Sequence, residues 1–255
     1  VPLIGEYAPE NFDGAFHGRV TAEEALIRSL NVPAVRLLQQ VGFDNFINKL
    51  EKSGFKSIRD NSKSLGLSVI LGGCGATLEE LAHLYSCLAN SGKLRNLKYT
   101  NSDNSKEKQI LSAESAYMIS QILSGAQRPD LPQGYLSAVN VPKIAWKTGT
   151  SYGRHDAWCI GYNPDFTVGV WTGNFSGAAN ARLTGADVAA PLLFEIFRNL
   201  GASENDWFEK PENLKMRKVD EETGLLPGQY TEKTIDDFYI PLVSHTQASQ
   251  NYQKI

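Results

Sequence analysis

A lysine, two threonines and a glycine stand together at Lys147-Thr148-Gly149-Thr150, directly after Trp146. On an extended strand each has a chemical use. Lys147 supplies a fixed positive charge for a carboxylate or for the proton of a neighbouring hydroxyl. Thr148 and Thr150 offer hydroxyl donors. Gly149, with no side chain, lets an extended ligand come close to the strand backbone. Read alone, the same string is also compatible with a strand end that happens to hold a glycine. A second group, Ser29-Leu30-Asn31, falls at a break between two helical stretches. Ser29 has a hydroxyl that can relay a proton, and Asn31 has an amide that can bond a substrate peptide group. Read alone, serine and asparagine also suit a helix end through backbone capping.

The two groups gain meaning together. S-x-N between helices, followed by K-T-G on a strand, is two-thirds of the set S-x-x-K, S-x-N and K-T-G used by serine β-lactamases and penicillin-binding proteins. Longer stretches share the resemblance. Tyr7-Ala8-Pro9-Glu10-Asn11-Phe12-Asp13 resembles the Y-x-P-x-N-x-D run that follows the nucleophile helix in class A penicillin-binding proteins. Residues 24–35 resemble their second motif region, and Leu71-Gly72-Gly73 with Glu80-Leu81-Ala82-His83-Leu84-Tyr85 resemble the next block. Residues 146–152, followed by Asp156-Ala157-Trp158, resemble the third, and Lys-Thr-Gly-Thr-Ser-Tyr-Gly points to the 1C subtype. The likeness runs over about 1–200. Residues 223–243 resemble the segment that trails this domain, without its cysteines.

The resemblance implies a D,D-transpeptidase fold that handles peptidoglycan stem peptides ending in D-Ala-D-Ala and that β-lactams would mimic. It assigns Ser29, Asn31 and Lys147 to catalysis and Thr148, Gly149 and Thr150 to substrate binding. Ser29 would exchange a proton with Lys147, and the Thr150 N–H would be one oxyanion donor in acyl transfer through a serine ester. One element departs from the pattern. No serine precedes Ser29, whereas the family places S-x-x-K ahead of S-x-N. Ser53-Gly54-Phe55-Lys56 and Ser105-Lys106-Glu107-Lys108 both come after the second motif and are set aside. The expectation is a penicillin-binding, serine β-lactamase-like fold truncated at its N-terminal side, inactive as this chain alone. The upstream glycosyltransferase domain is not in the sequence, and any membrane link of the parent would run through that part. The alternative is a catalytically dead module that binds peptidoglycan or a partner.

These residues need elements to hold them. Thr21-Ala22-Glu23-Glu24 is a capping box opening a helix through Leu30, and Pro33 suits the first turn of the next, which Gly42 ends. Phe43, Phe46, Ile47 and Leu50 give a third helix, ended by Gly54. Thr77-Leu78-Glu79-Glu80 is a second capping box, opening a helix to about Asn90 with Gly92 just past its end. Residues 93–109 are polar and predict an exposed loop. Ser112 caps a further helix. Beyond Pro142 the pattern changes to strands over 143–151, 156–162 and 166–173, the last two a hairpin turned by Asn163-Pro164-Asp165. A helix over 189–199 follows. Helices first and an antiparallel sheet after them predict an α+β fold. Residues 1–200 form the partial transpeptidase domain. The tail, 201–255, is too short for its own core and must lie on the domain or on a neighbour.

Composition narrows the rest. The 255 residues are 42% hydrophobic and 21% charged with net charge −3, which fits a globular fold. No Lys/Arg block suggests a nucleic-acid surface. No signal peptide is seen, and no apolar run reaches the ~20 residues of a membrane span. The parent would nonetheless work outside the cytoplasm. Cys74, Cys87 and Cys159 have no metal or disulfide spacing and are expected as small buried hydrophobes without an intrachain bridge. His17, His83, His155 and His245 show no ligand spacing. His83 is expected to be packed in its helix, and His155-Asp156 to begin a strand or rim the cleft. Gly72-Gly73-Cys74-Gly75 lacks the features of a phosphate loop. No metal and no cofactor is called for.

Overall fold

The computed structural model describes residues 8–61, 64–129, 142–201 and 206–250. Helices α1 (Ala22–Ile27), α2 (Asn31–Val41), α3 (Phe43–Lys52) and α4 (Lys56–Asn61) lead through a 3-10 turn, Leu67–Leu71, to α5 (Leu78–Ala89). A small hairpin, β1 (Lys93–Arg95) and β2 (Glu107–Gln109), precedes α6 (Ala113–Ser124). The antiparallel sheet follows as β3 (Ala145–Thr150), β4 (Asp156–Tyr162) and β5 (Thr167–Gly173), in that spatial order. A π turn, Gly185–Ala189, runs into α7 (Ala190–Asn199), and the tail forms a hairpin of β6 (Lys215–Asp220) and β7 (Thr234–Tyr239). The fold is α+β, as the order of patterns predicts.

Local chemistry explains most boundaries. At α5 both halves of the capping box form: Thr77 accepts from the Glu80 N–H, and the Glu80 carboxylate accepts from the Thr77 N–H. At α1 the Thr21 hydroxyl accepts from the Glu24 N–H, but the Glu24 carboxylate pairs with Arg28 one turn on, and the helix ends at Ile27 rather than Leu30. Beyond α5 the chain makes a left-handed turn through Ser91 and Gly92, with the Gly92 N–H on the Cys87 carbonyl at 2.8 Å. Gly92 is therefore two residues past the cap at Asn90, and a Cβ there would meet the Leu111 carbonyl oxygen at 2.2 Å. The polar stretch 93–109 is not all loop, because its ends pair from Lys93↔Gln109 to Arg95↔Glu107. Its strands are exposed and charged, which hid them from a reading based on apolar alternation.

Side chains alternate across the sheet, so the register sorts β3 into two faces. Ala145, Lys147 and Gly149 stand opposite Tyr162, Ile160 and Trp158; Trp146, Thr148 and Thr150 stand opposite Gly161, Cys159 and Ala157. The second face packs on α7. Trp146, Cys159, Val170, Leu193, Phe194 and Phe197 form one core there, with Trp146 edge-on to Phe194 at 5.1 Å between centroids. The first face packs on α5 and α6 through Leu123, Ala145 and Tyr162. The Tyr162 hydroxyl is not orphaned in this core, since it bonds the Ser120 hydroxyl at 2.9 Å. A separate helical cluster joins Leu38, Ile47, Phe55, Ile58 and Val69. Cys87 and Cys159 are fully buried, and Cys74 packs at the edge of that helical cluster.

The tail lies against the domain. Trp207 and Phe208 join the Tyr162 cluster, and Phe238 meets Tyr117 of α6 edge-on. Asp220 ties its bend: its carboxylate accepts from the Thr231 and Thr223 hydroxyls and from the Glu222 and Thr223 amides. The Thr231 hydroxyl foremost, with these other donors, holds the Asp220 carboxyl below the usual carboxylate range.

The α7 face of the sheet gives a direct test of the core. Phe194→Ala removes a fully buried ring and should lower the unfolding free energy by about 3–5 kcal/mol. Leu192→Ala, on the exposed side of the same helix, should change it by less than about 0.5 kcal/mol. Urea unfolding of the two variants measures both, and equal effects would contradict the packing described.

Candidate active site

Ser29 is set by how α1 ends. Arg28 closes the helix, and Ser29 follows with φ +56°. The Ser29 N–H donates to the Leu26 carbonyl at 3.2 Å, and the Leu30 N–H donates to the Ala25 carbonyl at 2.9 Å. This paired ending needs one residue in the left-handed region, usually glycine. A serine there costs roughly 1–2 kcal/mol of backbone strain. In return the exposed Ser29 hydroxyl is carried away from the helix, where the Lys147 ammonium donates to it.

Asn31 begins α2 one residue after the cap, Leu30, which has no side-chain bond of its own. Asn11 supplies the missing cap from twenty-one residues upstream: its Oδ1 accepts from the Val32 N–H at 3.2 Å, and its Nδ2 donates to the Ala15 carbonyl at 2.7 Å. The Asn31 Nδ2 donates to the Glu10 carbonyl at 2.7 Å. Segment 10–15 is thus fastened to the start of α2 beside Ser29. Asn11 is buried, and Tyr7 of the same run lies outside the described residues.

Lys147 points from the first face of β3 toward Ser29, and its ammonium also donates to the Thr148 carbonyl at 3.1 Å. Among the described residues no carboxylate is paired with it. Burial pulls the Lys147 ammonium below the ordinary lysine range. Cys159, opposite Thr148, has its thiol pushed up to about 12 by burial and stays neutral.

Thr148 and Thr150 point to the other face. Their backbone has a different direction again. The Ser151 N–H donates to the Asp156 carbonyl at 3.0 Å, which sets the phase of the β3–β4 ladder. Odd-numbered residues of β3 turn their N–H and C=O to β4, and Trp146, Thr148 and Thr150 turn theirs to the outer edge. Among the described residues β3 has no partner on that edge. The Thr150 N–H is therefore a donor on an open strand, close to Lys147 in sequence and on the same strand. The Thr150 hydroxyl accepts from the Gly185 N–H at 3.0 Å. Gly149 faces Trp158, and a Cβ there would make an ordinary contact with the Trp158 Cβ at 3.5 Å.

The described residues contain no group of three or more His, Cys, Asp or Glu that could hold a metal ion. No helix among them is long and apolar enough to cross a membrane. A cleft of about 670 Å³ lies between Thr172, Phe175, Asn180 and Leu183, and none of the expected site residues lines it.

Over residues 5–199 the chain matches the penicillin binding protein transpeptidase domain. The chain belongs to this transpeptidase family. It is 41% identical to penicillin-binding protein 1C of Escherichia coli over 75% of its length, and 29% identical to penicillin-binding protein 1A of Rickettsia bellii over 88%. These alignments cover 24% and 32% of the relatives, so the chain spans about a quarter to a third of the curated relatives it matches. Its fold resembles that of penicillin-binding protein 1A from Haemophilus influenzae, with a TM-score of 0.78 at 19% identity over 99% of this chain and 44% of that one. The D,D-transpeptidase domain of a peptidoglycan glycosyltransferase from Eggerthella lenta gives a TM-score of 0.53 at 21% identity over 75% of this chain and 56% of that one.

In this transpeptidase domain Ser29 and Lys147 meet, Asn31 stands two residues from Ser29, and the threonines lie on the other side of the same strand. Four residues support the site through contacts that the sequence reading did not give. Asn11 acts on a distant helix end, which spacing does not reveal. Arg154 and His155 act through the loop that follows β5: the Arg154 guanidinium donates to the Ala181 carbonyl and the His155 Nδ1–H to the Gly177 carbonyl. Gly185 had a legible signal, since Thr184 with Asp187 three residues on is a capping pattern; Thr184 accepts from the Asp187 N–H at 3.1 Å. His83, expected only as packing, bonds the Arg95 carbonyl and fastens β1 to α5.

The strained ending of α1 yields a prediction that separates hydroxyl from backbone. Ser29→Ala and Ser29→Gly both delete the acceptor for Lys147, but only glycine relieves the left-handed residue. Ser29→Gly should therefore be more stable than Ser29→Ala by about 1 kcal/mol in chemical denaturation. The reverse order would show that Ser29 carries no strain.

Proposed function

We propose that this chain is the substrate-holding and proton-relaying part of a penicillin-sensitive D,D-transpeptidase acting on peptidoglycan stem peptides outside the cytoplasm. The observation that carries the reading is the Lys147–Ser29 contact, made between residues 118 positions apart. A half-buried ammonium on an edge strand, donating to a serine hydroxyl, suits acyl transfer, and the family match supplies the reaction class.

The steps follow from the groups in place. A stem peptide lies along the outer edge of β3 by strand addition, its terminal carboxylate near the Thr148 and Thr150 hydroxyls and Lys147. The nucleophile is the serine of an S-x-x-K segment, which the family places ahead of S-x-N. Its oxygen attacks the carbonyl carbon of the penultimate D-Ala while its proton passes to the lysine of the same segment. The carbonyl oxygen takes the negative charge and receives the Thr150 N–H. As the C–N bond breaks, the Ser29 hydroxyl gives its proton to the departing D-Ala amine and regains, with Lys147 beside it, the proton that the nucleophile gave up. Asn31 holds the substrate amide. The amine of a second stem peptide then attacks the ester, the C–O bond to the serine breaks, and the amine's proton returns to the serine oxygen, closing the cross-link. A β-lactam enters the first half of this cycle, its carboxylate on the same threonines.

The test is acylation by a fluorescent penicillin in a polypeptide that carries an S-x-x-K segment ahead of Val1. Lys147→Ala should slow acylation by roughly 10²–10³, from the loss of a charge-assisted contact in a water-poor cleft. Ser29→Ala should slow it too, and the double variant should lose less than the product of the two effects. An unchanged rate in Lys147→Ala would refute the role.

A further inference from the structure

The turn between β3 and β4 holds a second strained residue. Gly153 has φ +73°, and Arg154, which follows it, has φ +57°. The turn is closed by the Arg154 N–H on the Ser151 carbonyl at 3.0 Å. A non-glycine residue in this region persists where its surroundings over-determine it, and here they do. The Arg154 carbonyl accepts from the Asn180 N–H at 3.1 Å, and its guanidinium donates to the Ala181 carbonyl. The guanidinium carbon also lies 5.9 Å from the Phe12 ring centroid, so the side chain touches the segment that Asn11 and Asn31 fasten to α2. One half-buried arginine thus touches three walls: its own turn, the loop after β5 and segment 10–15.

The loop so held ends at Gly185, whose N–H donates to the Thr150 hydroxyl oxygen at 3.0 Å. Gly185 lies directly on the strand, since a Cβ there would meet the Gly149 and Trp158 carbonyl oxygens at 2.7 Å. A hydroxyl that accepts from a fixed N–H has its own hydrogen directed elsewhere. Thr150 is exposed, so that hydrogen is free to be donated to a ligand. A donor in that place favours an acceptor-only group, a carboxylate, over a carboxamide.

We propose that Arg154 is a positioning residue: by fixing the loop from Asn180 to Gly185 it holds the Thr150 hydroxyl as a donor, and so sets the preference for a terminal carboxylate. The second half rests on the substrate reading given above for Thr150; the first half stands on the hydrogen bonds alone.

The experiment has two arms on the chain as given. In the first, amide hydrogen exchange at Gly185 is followed by NMR. Arg154→Ala should speed it roughly fivefold, and Arg154→Lys, which can still reach the Ala181 carbonyl, should restore most of the protection. Unchanged exchange in Arg154→Ala overturns the proposal. In the second, binding of N-acetyl-D-Ala-D-Ala is compared with binding of its C-terminal carboxamide. Wild type should prefer the carboxylate, Arg154→Ala should lose roughly fivefold of that preference, and Arg154→Lys should regain it. Thr150→Val should lose the preference as well, and Arg154→Ala added to it should change nothing further. Additive losses would place Arg154 on the carboxylate itself and overturn the positioning role. Absence of any preference in wild type would count against the substrate reading, while Gly185 exchange still decides whether Arg154 sets the loop.

Discussion

The Lys147–Ser29 contact is the interaction on which the rest of the site depends. It joins the helical half of the chain to the sheet, and it does so with a charge that burial disfavours. A desolvated ammonium with no carboxylate partner among the described residues needs every acceptor it can reach. Here those are the Ser29 hydroxyl and the Thr148 carbonyl.

Each supporting element can be read as an answer to that need. The left-handed ending of α1 turns Ser29 outward at a cost in strain. Asn11 caps α2 from outside and fixes the segment beside it, so that α2 starts where Asn31 is useful. The sheet contributes rigidity: α7 presses on one face through Trp146 and Phe194, and α5 and α6 on the other through Tyr162. The edge of β3 is left open, although a bare edge is a hazard in a free chain. An edge strand whose even-numbered residues present their backbone outward is also what an extended peptide requires. Left-handed backbone at Ser29 and Arg154 and desolvation at Lys147 cost stability, and the two-sided core around β3 offsets that cost.

How much of this the sequence disclosed depended on the kind of signal. The three strands were legible because Trp146, Trp158, Val168 and Trp171 recur with turn residues between them. The helices of the first half were legible from Thr21, Gly42, Thr77 and Ser112, except α4, Lys56–Asn61, which no helix in the sequence reading covered. Lys147 and Ser29 were legible only as a pair, because neither motif is specific alone. What stayed hidden was non-local or polar. The β1–β2 hairpin has no apolar face, so its pairing leaves no alternation to read. The Asn11 cap joins positions twenty-one apart with no periodicity. The role of Arg154 rests on carbonyls of Asn180's neighbourhood, and backbone acceptors have no side-chain signature. Glu24 shows the opposite error: a correct capping string whose second half was taken by Arg28, because an arginine one turn away competes for the same carboxylate.

The most direct test is a titration of Lys147 itself. Labelled lysine side chains can be followed by NMR against pH, with Lys147 assigned through Lys147→Arg. A folded pKa below the ordinary 10.5 is expected, because burial penalises the ammonium. The folded state then binds fewer protons than the unfolded one between that pKa and 10.5, so this group adds stability as pH rises through that window and withholds it below. Ser29→Ala, by removing an acceptor of the ammonium, should lower the pKa further. A value at or above 10.5 that Ser29→Ala leaves unmoved would contradict the account, for it would mean that Lys147 is neither buried nor held by Ser29.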